Sequence, residues 1–262
     1  MIKCSACILT FNNEKTLEKC LESVRDFSDI VILDGGSTDR TLEIAKRYNA
    51  RIYPQQEDGL SRKITDFTAM RKKLYALANE DWIFPIDSDE YLSKEGAEEA
   101  REIVENGEKN KNNLYTMLRK AIIDDKVIDR AFFYPEFCKR LWNKNANIRL
   151  KEKKMVHENM DVGEDVTIKN LNVAVYHFWS KSYRELIDKD DYYLRIAMEG
   201  KSIRPINKKL RKVIINILKA GNIFLKASRI YIRHGFRGVL PPIHSWRFVR
   251  YHLAYAKKVL FS

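Results

Sequence analysis

Over the N-terminal third of the chain, apolar residues fall in short runs separated by polar turns. Residues 3–10 (KCSACILT) read as a buried strand, closed by the polar turn Phe11-Asn12-Asn13. Leu17, Cys20, Leu21 and Val24 then recur at helical spacing. Ile30–Leu33 is a second short apolar run, followed by Asp34-Gly35-Gly36-Ser37-Thr38-Asp39. The glycines permit a tight turn there, and Ser37 or Thr38 can cap a helix over Thr41–Tyr48. Ala50–Tyr53 is a third, weak strand, Thr65–Ala78 a long helical pattern, and Trp82–Ile86 (WIFPI) a fourth strand. Four strand–helix alternations in about 90 residues predict an α/β fold, a mostly parallel sheet flanked by helices.

Beyond residue 111 the pattern changes. Asn113–Arg119 alternates as a strand, Val173–His177 is another, and Lys181–Met198 reads as a helix. Residues 206–231 then place apolar side chains among Lys and Arg, with Gly221 expected to interrupt the helix and Gly235 and Gly238 to end it. Pro241-Pro242 breaks the chain before a final helix over about His244–Phe261.

Charge sharpens this division. The chain of 262 residues carries a net +12, yet Gly200–Ser262 holds fifteen Lys/Arg and no acid, leaving residues 1–199 at −3. A near-neutral body, residues 1–200, with halves 1–111 and 112–200, is thus joined to a basic helical C-terminal extension, 201–262. Basic amphipathic helices with aromatics suit an anionic membrane surface; the alternative is a helical lid packed on the domain with an ordinary basic face. Nucleic acid is not expected as a partner, because no DNA- or RNA-reading motif accompanies the basic residues. The 45% apolar and 11% aromatic content is that of a folded protein.

Cys4-x-x-Cys7 lies within the first apolar run, where residues three apart point to opposite faces, and no second pair completes a zinc site. Buried, reduced thiols are the expectation. Lys3 and Asn12 bracket only eight uncharged residues, too few for a secretory leader. No stretch approaches the ~20 apolar residues of a membrane span. A cytoplasmic protein, peripheral at the inner face of the cell membrane, is therefore expected.

The candidate chemistry sits where WIFPI runs into Asp87-Ser88-Asp89-Glu90. A strand ending in acids delivers them to the sheet rim where α/β proteins bind ligands. Two carboxylates one residue apart can share a hard divalent cation, Mg²⁺ or Mn²⁺; alternatively such acids cap the next helix. Neither G-x-G-x-x-G nor G-x-x-x-x-G-K-[ST] is present, which argues against dinucleotide-binding and P-loop enzymes.

The turn after strand one, the DGGSTDRT loop after strand two and the D-x-D after strand four, in that order and spacing, resemble glycosyltransferase family 2, inverting sugar transferases of the GT-A fold. The resemblance implies that Asp34, with Gly35 beside it, reads the base of a nucleotide sugar, and that the Thr10–Glu14 turn, with Thr10, Phe11, Asn12 and Glu14, lines base and ribose. It places Arg71 near the nucleotide, Ser88 within the donor site, and Asp87 and Asp89 as the metal pair, with Asp89 the direct ligand and Glu90 a helix cap or outer support. The series YPE, KRLW, VHE, YHFW and YY, from Tyr134 to Tyr193, resembles the lipopolysaccharide-core β-glucosyltransferase subgroup. Its implied partners are a nucleotide-sugar donor, probed first as a UDP-sugar, and a glycan or glycolipid acceptor.

Inverting transfer needs a base for the acceptor hydroxyl. Glu158 of VHE is the candidate, with Asp161 and Glu164 close behind it and Glu136 of the YPE element of open role. His157 orients Glu158, contacts the acceptor or joins the metal shell; His177, at the end of an apolar strand, is a candidate third metal ligand. Arg140 either meets a phosphate, which suits its planar fork, or pairs with an acid on the surface. Two other functions are compatible with the same residues: transfer to a protein or peptide, and a non-catalytic membrane or nucleic-acid binding protein that keeps the fold.

Overall fold

Ile2–Thr10 (β1), buried at every position but Lys3, forms the central strand of the computed structural model, which describes residues 1–56, 66–151, 160–179, 182–198 and 206–261. Cys4, Ala6 and Ile8 enter one apolar cluster, Cys7 and Leu9 the other. The alternation continues on Phe27–Asp34 (β2), with Ile30 and Ile32 opposed to Val31 and Leu33, and on Trp82–Asp87 (β4), with Phe84 and Ile86 opposed to Ile83. Such strands must be covered on both faces. Leu17–Ser23 (α1), Thr41–Arg47 (α2) and Lys94–Glu105 (α4) supply one cover, and Phe67–Ala76 (α3) the other. All four cysteines are free, and Cys4 and Cys7 lie on opposite faces of β1, as the spacing implies.

Arg51–Pro54 (β3) completes the parallel part of the sheet, in spatial order β3-β2-β1-β4. The sheet continues through Phe137–Asn143 (β8), Asn113–Ile123 (β6), Thr167–Phe178 (β11) and Glu90–Leu92 (β5). β4 with β8, β6 with β8 and β11 with β5 pair antiparallel. This half carries no strand–helix alternation, so the sequence pattern that announces the parallel half is silent about it. Pro85 marks the seam. Lacking an N–H, it cannot extend the ladder to β8, which is registered only at Trp82 and Ile83. Asn106 and Lys111 flank a short helix, Gly107–Asn110 (α5), and Ile148–Leu150 (β9) pairs with Met160–Val162 (β10) as a separate ribbon.

Residues 1–120 and 135–178 form one compact unit; residues 121–134 and 179–262 form a second. In the second, Lys126–Val127 (β7) folds back on the end of β6, and Tyr183–Met198 (α6), Ile206–His234 (α7) and Pro242–Leu260 (α8) are helical. α7 runs unbroken through Gly221, contrary to the expected interruption. One exposed glycine costs a helix about 1 kcal/mol, and 29 helical residues absorb it. Gly235, at φ 64°, ends α7 as expected.

Candidate active site at the carboxyl ends of the parallel strands

Three neighbouring strands, β2, β1 and β4, stop side by side, with Thr10 opposite Asp34 and Leu9 opposite Asp87 in the register. The loops that follow are cross-linked through backbone groups. Gly35 N–H donates to the Thr10 carbonyl at 2.9 Å, Asn12 N–H to Ser37 Oγ at 2.9 Å, and Thr38 N–H to Asn12 Oδ1 at 2.8 Å. Asn12 adopts φ 50°, a left-handed conformation that Asn tolerates. Asn13 N–H donates to Thr41 Oγ1 at 2.7 Å, and the Asn13 amide is hydrogen-bonded to the Ser88 hydroxyl. The first turn and the D-x-D turn are therefore held as one piece.

Asp34 is buried, and its carboxylate is turned into its own loop. Oδ2 accepts Gly36 N–H and Ser37 N–H, each at 2.8 Å, and Oδ1 accepts the Ser37 hydroxyl at 2.5 Å. Gly36, at φ 86°, allows the chain to wrap the carboxylate. α2 is capped by neither Ser37 nor Thr38, which bond to Asp34 and Asn12; Asp39 Oδ1 instead accepts Thr41 N–H at 3.0 Å. Glu14 joins this side of the frame, its carboxylate accepting Arg40 N–H at 3.2 Å. At Gly35 a side chain would meet Gln55 Oε1 and Phe11 Cβ at 3.2 Å, so the loop and the first turn touch without room to spare. Phe11 is 48% exposed beside them. Thr10 is buried with its Oγ1 unpartnered, and its carbonyl also accepts Gln55 Nε2 at 3.4 Å.

At the end of β4 the charges are sorted. Arg71 reaches from α3, buried, and its Nη2 lies 2.5 Å from Asp87 Oδ1. Removal from water raises the Asp87 pKa, but Arg71 and then Arg140 outweigh it and hold the carboxyl well below the usual range. Asp89 Oδ2 lies 3.4 Å from His177 Nε2. The Asp89 carbonyl accepts Phe178 N–H at 2.9 Å, which fixes the turn against β11. His177 Nδ1 is buried without a hydrogen-bond partner. Ser88 is buried between Asn13 and Thr16, whose Oγ1 donates to the Ser88 carbonyl at 2.9 Å. It belongs to the frame of the turn.

Of the two roles expected of Glu90, helix cap or outer support, the geometry matches the second: Ser93 caps α4, accepting Gly96 N–H at 3.0 Å. Glu90 is fully buried, accepts Asp87 N–H at 3.1 Å on Oε2, and binds Arg140 Nη2 at 2.7 Å on Oε1. Arg140 accordingly meets neither a phosphate nor a surface acid. It is buried beneath the turn, donates to the Pro85 carbonyl at 3.1 Å where the β4–β8 ladder stops, and serves as counter-charge to Glu90. Burial pushes Glu90 up while Arg140 pulls it down, and Arg119 stands 3.9 Å from both Glu90 and Glu136.

The three expected metal ligands do not converge. Among the described residues no three His, Cys, Asp or Glu side chains gather as a ligand set. Asp87 has one oxygen taken by Arg71, whereas Asp89 and His177 stand at the spacing of adjacent ligands on one ion. A carboxylate and an imidazole fit Mg²⁺ or Mn²⁺ when phosphate oxygens and water fill the remaining positions. Glu158 and His157 lie outside the described residues. Of the other acids near them, Asp161 pairs with Lys151 at 2.6 Å and Glu164 is exposed. Gln55 and Thr16 were not singled out from the sequence; each is a lone polar residue beside an element end, with no pattern to distinguish it.

Residues 5–110 match the family model described as glycosyl transferase family 2. The chain is 27% identical over 197 residues to an uncharacterized glycosyltransferase of Rickettsia bellii, covering 73% of this chain and 65% of that protein, just under two thirds of the relative's length. It is 38% identical over 89 residues to the prophage-derived glycosyltransferase SunS of Bacillus subtilis, covering 34% of this chain and 20% of SunS. Among solved structures, S. aureus TarS 1–349 in complex with UDP-GlcNAc is similar at TM-score 0.48 and 13% identity, covering 95% of this chain and 79% of that one. The central mixed sheet flanked by helices is GT-A-like.

Proposed function

We propose that the chain is an inverting glycosyltransferase that moves a sugar from a nucleotide sugar, a UDP-sugar in the first instance, to a lipopolysaccharide-core or other lipid-linked surface glycan. One observation carries this reading. At the carboxyl ends of β1, β2 and β4, within the stretch that matches family 2, the Phe11–Gly35 edge is tied through Asn13–Ser88 to the turn bearing Asp87 and Asp89, which Arg71 of α3 and, from outside that stretch, His177 of β11 meet. Phe11 offers a flat apolar surface for a base. Asp34 acts by wrapping its loop, which keeps Gly35 low and the base approach open. Arg71 brings a guanidinium suited to phosphate oxygens, and Asp87 fixes its direction.

Asp89 and His177 are the residues that would hold a divalent cation. When bound, that cation supplies positive charge against the nucleoside diphosphate leaving group. The buried Glu90–Arg140 pair keeps the turn in place from below. Glu158 is proposed to take the proton of the acceptor hydroxyl as its oxygen attacks the anomeric carbon. An anionic membrane surface, where lipid-linked acceptors reside, is the proposed partner of the basic C-terminal helices.

Turnover across a panel of nucleotide sugars, with Mn²⁺ or Mg²⁺ and then with EDTA, tests the reading. Metal-dependent hydrolysis or transfer with one donor, abolished in Asp89→Ala, is the expected result. No turnover with any donor, and no effect of metal on nucleotide binding, would contradict it.

A further inference from the structure

α7 has three faces. Val213, Ala220 and Ala227, seven residues apart, are buried, and Val213 lies in one cluster with Ala256 and Val259 of α8. Asn216 Oδ1 meets His252 Nδ1 at 2.9 Å, and the Tyr231 hydroxyl donates to the Leu240 carbonyl at 2.9 Å, so this face is fully engaged by α8 and the connection to it. A second face is apolar and uncovered. Leu210, Ile214, Ile217, Leu218, Leu225 and Ile232 recur at helical spacing, each exposed, with Leu218 and Leu225 at 66% and 68%. The third is basic: Lys208, Arg211, Lys219, Lys226, Arg229 and Arg233 are exposed on the remaining side.

Packing onto α8 explains the first face and leaves the second without a reason in the unit. A helix of 29 residues is roughly 40 Å long, so the uncovered stripe is extended. No helix among the described residues is long and apolar enough to cross a membrane. What remains is a helix with a broad apolar side, a basic flank and no acid, which is the pattern of a helix lying in a bilayer interface. A second copy of this chain fits less well, because apposing two such stripes brings basic flanks together with no acid from Gly200 onward to offset them. Nucleic acid would use the basic face and leave the apolar one in water.

We propose that α7 lies in the plane of an anionic lipid surface, inserting the Leu210–Ile232 stripe among the acyl chains while its basic flank meets the headgroups. This deepens the membrane part of the proposed function and rests on it; the donor chemistry is independent of it.

The test is co-sedimentation of the full chain with phosphatidylglycerol-rich vesicles and with pure phosphatidylcholine vesicles, alongside donor hydrolysis without vesicles. Two variants are compared with the parent: Leu218→Gln with Leu225→Gln, and Lys208→Gln with Arg211→Gln. The expected result is binding to the anionic vesicles only, weakened roughly tenfold or more by either variant, with hydrolysis unchanged. Because all four side chains are exposed, folding is preserved, which circular dichroism checks. Three outcomes overturn the proposal: the parent ignores anionic vesicles; the apolar variant binds them as the parent does; or that variant instead dissolves a dimer seen by light scattering. Unchanged hydrolysis in those cases leaves the donor reading standing, whereas absent hydrolysis with intact vesicle binding removes that reading and keeps this one.

Discussion

Arg71 Nη2 lies 2.5 Å from Asp87 Oδ1, and this contact divides the work of the D-x-D turn. The arginine occupies the first carboxylate and leaves the second, Asp89, to His177. Arg71 stands within α3 and Asp87 at the end of β4, so the contact ties the helix to the strand end. Arg71→Met is expected to leave Asp87 uncompensated and to lower donor turnover by about 10- to 100-fold, with a stability loss of about 2 kcal/mol, less than a fully buried pair because Asp87 retains water contact. Steady-state kinetics and urea unfolding check the two effects.

The same contact sets an acid dependence. The folded pKa of Asp87 is depressed below its ordinary 3.8, so its stabilising contribution is complete above that value and is lost as pH falls further, toward the folded value. Asp87→Asn should flatten the decline of stability below about pH 4. Unfolding free energies of both proteins across the acid range measure the difference.

Glu90 and Arg140 are both buried, 2.7 Å apart, under the turn. Glu90→Gln is expected to cost about 3–5 kcal/mol, because it strands the guanidinium in the interior. The double variant Glu90→Leu with Arg140→Met should be destabilised by clearly less than the sum of its single changes. A thermodynamic cycle by chemical denaturation reads this. Donor turnover in the double variant should still fall, since Asp87 N–H loses its acceptor.

Gly36, at φ 86°, closes the loop around Asp34. Gly36→Ala should cost about 1–2 kcal/mol from the left-handed backbone alone and weaken nucleotide binding by loosening the Asp34 wrap. Thermal unfolding and a nucleotide titration check both parts.

The chain shows its parallel half plainly, because β1, β2 and β4 are apolar on both faces and each is followed by a helix pattern. For the same reason the place of Asp34 and Asp87 at strand ends, with Asp89 just beyond, was legible. The Glu90–Arg140 pair was not legible, since its members are 50 residues apart and only the antiparallel return of β8 brings them together. The Asn13–Ser88 bond, across 75 residues, was hidden likewise. Pro85 held a signal that went unused: a proline in a central strand demands that a neighbour stop pairing, and Arg140 enters where it does. Gly221 shows the opposite error, a local breaker overruled by the apolar packing of Val213, Ala220 and Ala227 on either side.

The most direct test of the account is a calorimetric titration of UDP into the protein with Mn²⁺, with EDTA, and in Asp89→Ala. The account predicts binding with Mn²⁺ that weakens at least about tenfold in EDTA and to a similar extent in the variant. Binding that is absent, or equal under all three conditions, would contradict it and remove the donor site from the carboxyl ends of these strands.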